Sequence, residues 1–375
     1  MRSEFREMRI TFVLPPANMS GGIRVIGIYA EKLSEMGHEV RIVSVQPRRP
    51  SMVERVKRFL KGKPPIVFEP NPPSFLDHMK VHHRIAPHDG PVTDRDLPDA
   101  DVVVATWWET APWVSALSPS KGAKAYFMQD YGAPGQELWQ IEPTWRLPLH
   151  IVTIANWLAV LVKEHTPDAR VSVVANSVDQ EVFAAPPRGK QSRPTVGFLY
   201  REMASKGIGI ALEAIRLARH EVPDLRVLAF GPAPSKEAAR DLTGIEYAAK
   251  PDDAQVVAIY TSCDAWIFPS LREGFGLPLL EAMACRTPVI ATPAGAAPEL
   301  VRPDRGFPLP DFEPASMARE IVRLAQMEDA AWRMLSDAAR QSVEGYTWQD
   351  ATRSFEKALE VTIAHDQERT TVRSY

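Results

Sequence analysis

Short apolar runs alternate with amphipathic stretches along most of the chain of 375 residues. The first run, Arg9–Leu14, leads through a Ser20-Gly21-Gly22 loop into a helical pattern from about Arg24 to Glu35. Gly37 stops that helix, and Glu39–Val45 resumes as a strand. From Pro47 to Pro98 the chain is proline-rich and irregular; Asp101–Ala105, Ala123–Met128 and His150–Ile154 then read as further strands. A second series opens at Thr195–Tyr200, continues with a helix over Gly207–His220 and a strand over Arg226–Phe230, and repeats the unit later. There, Cys263–Pro269 is a buried strand, Pro278 starts a helix ending near Cys285, and Thr287–Ala291 is the next strand. Strands alternating with helices at this spacing predict an α/β fold of two doubly wound parallel sheets. Between the series, Phe183–Pro194 has the composition of a linker, which makes a cleft between two domains the expected ligand site.

Bulk properties narrow the picture. A net charge of −3 gives no case for a general nucleic-acid binder. The two cysteines, Cys263 and Cys285, both stand in apolar contexts, so a reducing, cytoplasmic setting is expected rather than a disulfide framework. The opening apolar run is too short for a signal peptide, and nowhere do 18 apolar residues run together. One stretch departs from the average: residues 48–63 hold seven basic residues and one acid, with Val53, Val56 and Leu60 at helical spacing and Phe59 beside them. Such a helix suits an anionic membrane surface, or it packs its apolar side on the N-terminal domain.

Candidate chemistry collects at the ends of predicted strands. In Ser20-Gly21-Gly22, glycine lets backbone amides approach a phosphate closely. Arg201 and Lys206 flank a strand-to-helix turn whose free amides also favour anions. Glu273 and Glu281 bracket a Gly274-Phe275-Gly276-Leu277 turn and Pro278 at a helix start. Trp107, Trp108 and Glu109 follow another strand, with sugar stacking and core packing as the two readings of the tryptophans. Other signals point nowhere specific. Asp94/Asp96 and Asp99/Asp101 precede a strand instead of following one and read as turn residues. His78, His82, His83 and His88 lack carboxylate or cysteine partners at metal-site spacing and read as a mobile acceptor-side loop. Three glycine pairs, Gly207/Gly209, Gly274/Gly276 and Gly132/Gly135, do not complete a dinucleotide fingerprint.

Taken in order, these elements resemble the retaining GT-B glycosyltransferases of family 4. Glu273-Gly-Phe-Gly-Leu-Pro-Leu-Leu-Glu281 is similar to that family's E-x7-E motif, and Arg201 with Lys206 to its Arg-(x)4-Lys loop, with Tyr200 where glycine is usual. Gly21-Gly22, Asn176-Ser-Val-Asp179, Thr287-Pro-Val-Ile and Pro298-Glu-Leu-Val fall in the family's places, over roughly residues 9 to 355. The resemblance implies two Rossmann-like domains, 1–188 binding acceptor and 189–350 binding a nucleotide sugar. A C-terminal helix over 351–375 would return to the first domain, with Phe355, Leu359 and Ile363 on one face. It further implies transfer of a hexosyl-type sugar from a nucleoside-diphosphate sugar, used as co-substrate with no cofactor and no metal. Arg201 and Lys206 would stabilise the departing diphosphate with amides of Gly21 and Gly22. Glu273 would lie beside the donor sugar, with Gly274, Phe275, Gly276 and Leu277 near its hydroxyls, and Glu281 would accept from the ribose.

Gln129 and Asp130 occupy the place where many relatives carry a histidine, so either Asp130 or the leaving phosphate takes the acceptor proton. Trp107, Trp108, Glu109, Gln129 and Asp130 would face the acceptor, a glycan or lipid-linked sugar. The Thr-Trp-Trp and Gln-Asp-Tyr elements resemble bacterial surface-polysaccharide transferases, some of them rhamnosyltransferases. The expected setting is cytoplasmic, peripheral on the inner face of the plasma membrane. Arg286 stands where a glycine is common after the motif helix. The alternatives are a nucleotide-sugar epimerase or hydrolase of the same fold, and an idle scaffold. The scaffold should have lost one of Glu273, Glu281, Arg201 and Lys206, and all four are present.

Overall fold

The structure, a computed structural model, describes residues 7–60, 68–131, 138–235 and 238–373. Lys61, Lys63 and the Gly132/Gly135 pair lie outside the described residues. The N-terminal strands are β1 (Arg9–Leu14), β2 (Glu39–Val45), β3 (His82–Ala86), β4 (Val102–Ala105), β5 (Ala123–Met128), β6 (His150–Thr153) and β7 (Val171–Val173). They form one parallel sheet in the order β3-β2-β1-β4-β5-β6-β7. The second sheet uses β8 (Thr195–Leu199), β9 (Arg226–Gly231), β10 (Glu246–Ala249), β11 (Ala265–Phe268), β12 (Val289–Ala291) and β13 (Gly306–Pro308). Its order is β10-β9-β8-β11-β12-β13, again parallel throughout. This is the GT-B architecture of two Rossmann-like domains.

Helices cover both faces of such sheets, so the central strands are apolar almost without interruption. Every residue of β4 and β11 is buried. The same topology fixes where the chemistry sits. Strand order reverses between β1 and β4 in one sheet and between β8 and β11 in the other, and a crevice opens beyond the strand ends at such a reversal. The segments that follow these four strands hold Gly21-Gly22, Trp107–Glu109, Arg201–Lys206 and Glu273–Gly276.

The structure departs from the sequence reading in four places. The helix after β1 spans Gly21–Glu35, so both glycines lie in its first turn with the unsatisfied amides of a helix start. The irregular Pro47–Pro98 stretch contains, besides the expected basic helix, which spans Met52–Leu60, the edge strand β3. That helix starts on a capping box: Ser51 Oγ accepts from Glu54 N (3.2 Å) and Glu54 Oε2 from Ser51 N (2.7 Å). None of its residues is buried, which overturns the reading that packs its apolar side on the domain. His82 and His83 belong to β3, not to a loop; His83 Nε2 lies 2.8 Å from Ser44 Oγ, and His88 pairs with Asp96 at 3.2 Å. The acidic pairs are structural: Asp96 accepts from Thr93, Asp99 pairs with Lys121 and Asp101 with Arg9.

The chain passes between the domains twice, side by side. Val178 bridges Thr347, and Gln180 Nε2 donates to the Val343 carbonyl (2.8 Å). After the second passage the helix Trp348–Arg373 lies on the N-terminal sheet. Its Phe355, fully buried, meets Phe12, Tyr29 and Phe127 at ring-centroid distances of 6.0, 4.7 and 5.0 Å.

Candidate active site

On the C-terminal side, two loops are stitched together. The Ser205 carbonyl accepts from Leu271 N (2.8 Å) and Arg272 N (3.2 Å). Gly207, at φ +62°, is held where a Cβ would run into the Pro269 carbonyl, so glycine is required at this crossing. The stitch brings Lys206 Nζ to 2.7 Å from Glu273 Oε1, which also accepts from Ser270 Oγ (3.0 Å). Both members of the pair are mostly shielded from solvent. Arg201, by contrast, is exposed and has no hydrogen-bond or ion-pair partner among the described residues.

Gly276 turns the chain at φ +98° into the helix Leu277–Ala284, with Pro278 in the first turn, where its missing N–H breaks no bond. Just over one turn in, Glu281 accepts from the Tyr260 hydroxyl (2.8 Å). Burial pushes the Glu281 carboxyl upward, while that hydrogen bond and the charge of Arg24 pull it back. Arg24 belongs to the first turn of the Gly21–Glu35 helix, so the N-terminal domain supplies the cation that acts on the buried carboxylate.

The two halves meet at Gln129, just past β5. Gln129 Nε2 donates to the Gly22 carbonyl (3.1 Å), while its own carbonyl lies where a Cβ on Gly274 would go. Trp157 Nε1 donates to the Gly274 carbonyl (2.9 Å), and Glu299 accepts from Asn156 Nδ2 (2.8 Å) and Trp157 N (3.1 Å). Beside this seam, the Arg272 guanidinium stacks 3.7 Å from the Tyr131 ring centroid, with Nε 3.9 Å from Asp130 Oδ1. Burial raises the Asp130 carboxyl to about 6, against the Tyr131 N–H bond and the charge of Arg272.

Thus Gly22, Gln129, Asp130, Lys206, Glu273 and Gly274 converge, and Glu281 lies within reach of charge from the opposite domain. The tryptophans divide. Trp108 packs against the core and its indole N–H is buried without a hydrogen bond; Trp107 is half-buried and Glu109 exposed. No hydrogen bond joins these three to the seam among the described residues. Sequence reasoning missed Tyr260, Arg24, Trp157 and Arg272. Only Arg272 carried a signal, as a charged residue directly before the first motif glutamate.

Residues 193–327 match the family model described as glycosyl transferases group 1. The chain is 29% identical over 204 residues to the MMP alpha-(1->4)-mannosyltransferase of Mycolicibacterium hassiacum, covering 52% of this chain and 49% of that protein. It is 25% identical to the putative colanic acid biosynthesis glycosyltransferase WcaL of Escherichia coli, over 50% of each. The chain thus spans about half the length of these curated relatives. Similarity to the D-inositol 3-phosphate glycosyltransferase of Corynebacterium glutamicum runs further, at 25% identity over 89% of this chain and 90% of that one. Among solved structures, Anabaena HepE in complex with UDP-glucose superposes with a TM-score of 0.72 at 15% identity, over 95% of this chain and 100% of that one.

Proposed function

We propose that this chain transfers a hexosyl-type sugar, with retention of configuration, from a nucleoside-diphosphate sugar to a glycan or lipid-linked acceptor in surface-polysaccharide assembly. The observation that carries the proposal is the seam itself. A carboxylate–ammonium pair, Glu273–Lys206, and the half-buried Glu281 stand at one strand reversal, and Gly22 at the other is joined through Gln129 to Gly274. Likeness to a mannosyltransferase and a colanic acid biosynthesis glycosyltransferase supports glycosyl transfer, and likeness to HepE in complex with UDP-glucose supports a nucleotide-sugar donor.

Each residue has a physical task. Diphosphate arriving between Arg201, Lys206 and the Gly21-Gly22 amides meets donors already aimed at the charge that grows as the sugar leaves. Lys206 is held by Glu273 until then, so the pair divides between sugar and phosphate when donor binds. Glu281 accepts from the ribose hydroxyls, its second oxygen set by Tyr260. The acceptor oxygen bonds to the anomeric carbon on the face from which the diphosphate oxygen departs. Its proton passes to Asp130, whose burial tunes it to about 6 and so close to working pH. Protein cations replace a metal ion in this scheme. Transfer from UDP- and GDP-sugars, followed with EDTA and with added Mg²⁺, tests it, and the anomeric proton coupling of the product reads the stereochemistry. An inverted product, activity only with metal, or sugar released to water alone would refute it.

The acceptor is met at an anionic bilayer, through the helix Met52–Leu60. Phe59 and Leu60 are 82% and 78% exposed, and Arg55, Lys57 and Arg58 accompany them, each worth about 1 kcal/mol near such a surface. Co-sedimentation with anionic vesicles, lost at high salt and absent with neutral ones, is expected. Binding unaffected by Arg55→Glu with Lys57→Glu would remove this element of the proposal.

A further inference from the structure

We propose that Arg272 is a positioning residue for the reaction, orienting Asp130 and holding it ionised across the gap between the two domains. This deepens the functional reading above and rests on it, since it assigns Asp130 a task.

Arg272 is anchored entirely on the C-terminal side. It precedes Glu273 on the loop that leaves β11, and its amide donates to the Ser205 carbonyl (3.2 Å). Its side chain nevertheless reaches the N-terminal domain, lying on Tyr131 at 3.7 Å and beside Asp130 at 3.9 Å. Both of those residues follow β5 directly. Tyr131 is itself braced edge-on by Trp157, with ring centroids 5.6 Å apart, and Trp157 donates to the Gly274 carbonyl. The guanidinium therefore sits on an aromatic floor whose position is fixed by both domains.

A stacked guanidinium keeps its in-plane N–H groups for a carboxylate at its edge. The Nε–Oδ1 separation of 3.9 Å is beyond hydrogen-bond length, so the two groups meet as an ion pair. Asp130 already has one constraint, since its Oδ1 accepts from Tyr131 N (2.7 Å).

The charges facing Asp130 come from three elements. Glu273 and Lys206, on the two C-terminal loops, oppose each other and are paired at 2.7 Å. On β5 itself, Tyr126 is buried and stays neutral, its phenol pushed up by burial. Among the cations, Arg272 is the one that acts on Asp130 most strongly. A role confined to gluing the domains would need the stack on Tyr131 but not the charge beside Asp130.

The test is a titration of the Asp130 side-chain carboxyl by carbon-13 NMR in the full chain, assigned with Asp130→Asn. The wild-type midpoint should lie near 6. Arg272→Gln should raise it by about one pH unit, and Arg272→Lys should restore most of the difference. Tyr131→Leu, which removes the floor and leaves the charge, should also raise it, and keeps the idea testable if the Arg272 variants misfold. The acid limb of the kcat/KM profile should move with the midpoint. Midpoints unchanged in both Arg272→Gln and Tyr131→Leu would overturn the inference. Calorimetric binding of UDP and GDP to the same proteins separates the two levels: wild type that binds neither refutes the functional reading, whatever the titration shows.

Discussion

Replacing Phe355 with alanine tests whether the helix after the second domain is part of the first domain's core. The side chain is completely buried and touches three rings: Phe12 stacked, Tyr29 stacked and Phe127 edge-on. Tyr29 in turn meets Trp348 edge-on at 5.7 Å, so the cluster closes the helix onto the sheet and onto the Gly21–Glu35 helix. A buried Phe→Ala change costs about 3–5 kcal/mol, and aromatic pairing beyond simple burial puts this site at about the upper end. For a domain of this size each kcal/mol lowers Tm by about 2–4 °C, so a fall of about 10–15 °C is expected for the N-terminal transition. Differential scanning calorimetry reads it, with Val361→Ala, on the exposed side of the same helix, as the near-neutral control. A Tm loss below about 3 °C would mean that the ring cluster contributes little and that the helix is only draped over the sheet.

Three further outcomes are expected. Gly274→Ala places a methyl group against the Gln129 carbonyl and should lower kcat/KM on the order of 100-fold with melting little changed; wild-type kinetics would show that the seam need not close. Glu281→Gln should raise the donor KM while Glu273→Gln mainly lowers kcat, and equal effects on both constants in steady-state assays would erase the division between ribose and sugar. His150, buried between Thr362 Oγ1 (2.7 Å) and Ser172 Oγ (3.0 Å), has its proton affinity lowered by burial to about 4. The unfolded chain binds that proton from its ordinary value near 6.5, so stability should fall by about 3 kcal/mol as pH drops from 6.5 to 4. Urea midpoints across that range, compared with His150→Asn, would show a flat profile if the group is not responsible.

Legibility in the sequence followed burial. The strands that flank the reversals, Val102–Ala105 and Ala265–Phe268 among them, are apolar runs because they are covered on both faces, and they could be read directly. The edge strand β3 could not, because its sequence, HHRIA, faces solvent with alternate residues and carries no apolar run. The Met52–Leu60 helix was legible from the helical spacing of Val53, Val56 and Leu60 despite its proline-rich surroundings, and its Ser51–Glu54 capping box marks the start. In the site, the glutamates, the cationic loop and the glycines stood out because they follow strand ends. Tyr260, Arg24 and Trp157 did not, since each matters only through a partner distant in sequence. Tyr260 is 21 positions from Glu281, and Trp157 is 117 from Gly274. Such pairings depend on how helices pack within one domain, for Tyr260, and on how the two sheets face each other, for Trp157, which no local pattern encodes.

The paired passages near Val178 and Thr347 make the C-terminal sheet an insertion within the domain that precedes it. Synthesis therefore runs in an unusual order. When the ribosome has released β1 to β7, the face formed by Phe12, Tyr29 and Phe127 still lacks its lid, because Phe355 is translated only after the whole second domain. An open aromatic face of this kind invites aggregation or chaperone binding during that interval. The nascent N-terminal half waits for the later half to be made, and the C-terminal domain, though second in sequence, is the first whose core can close.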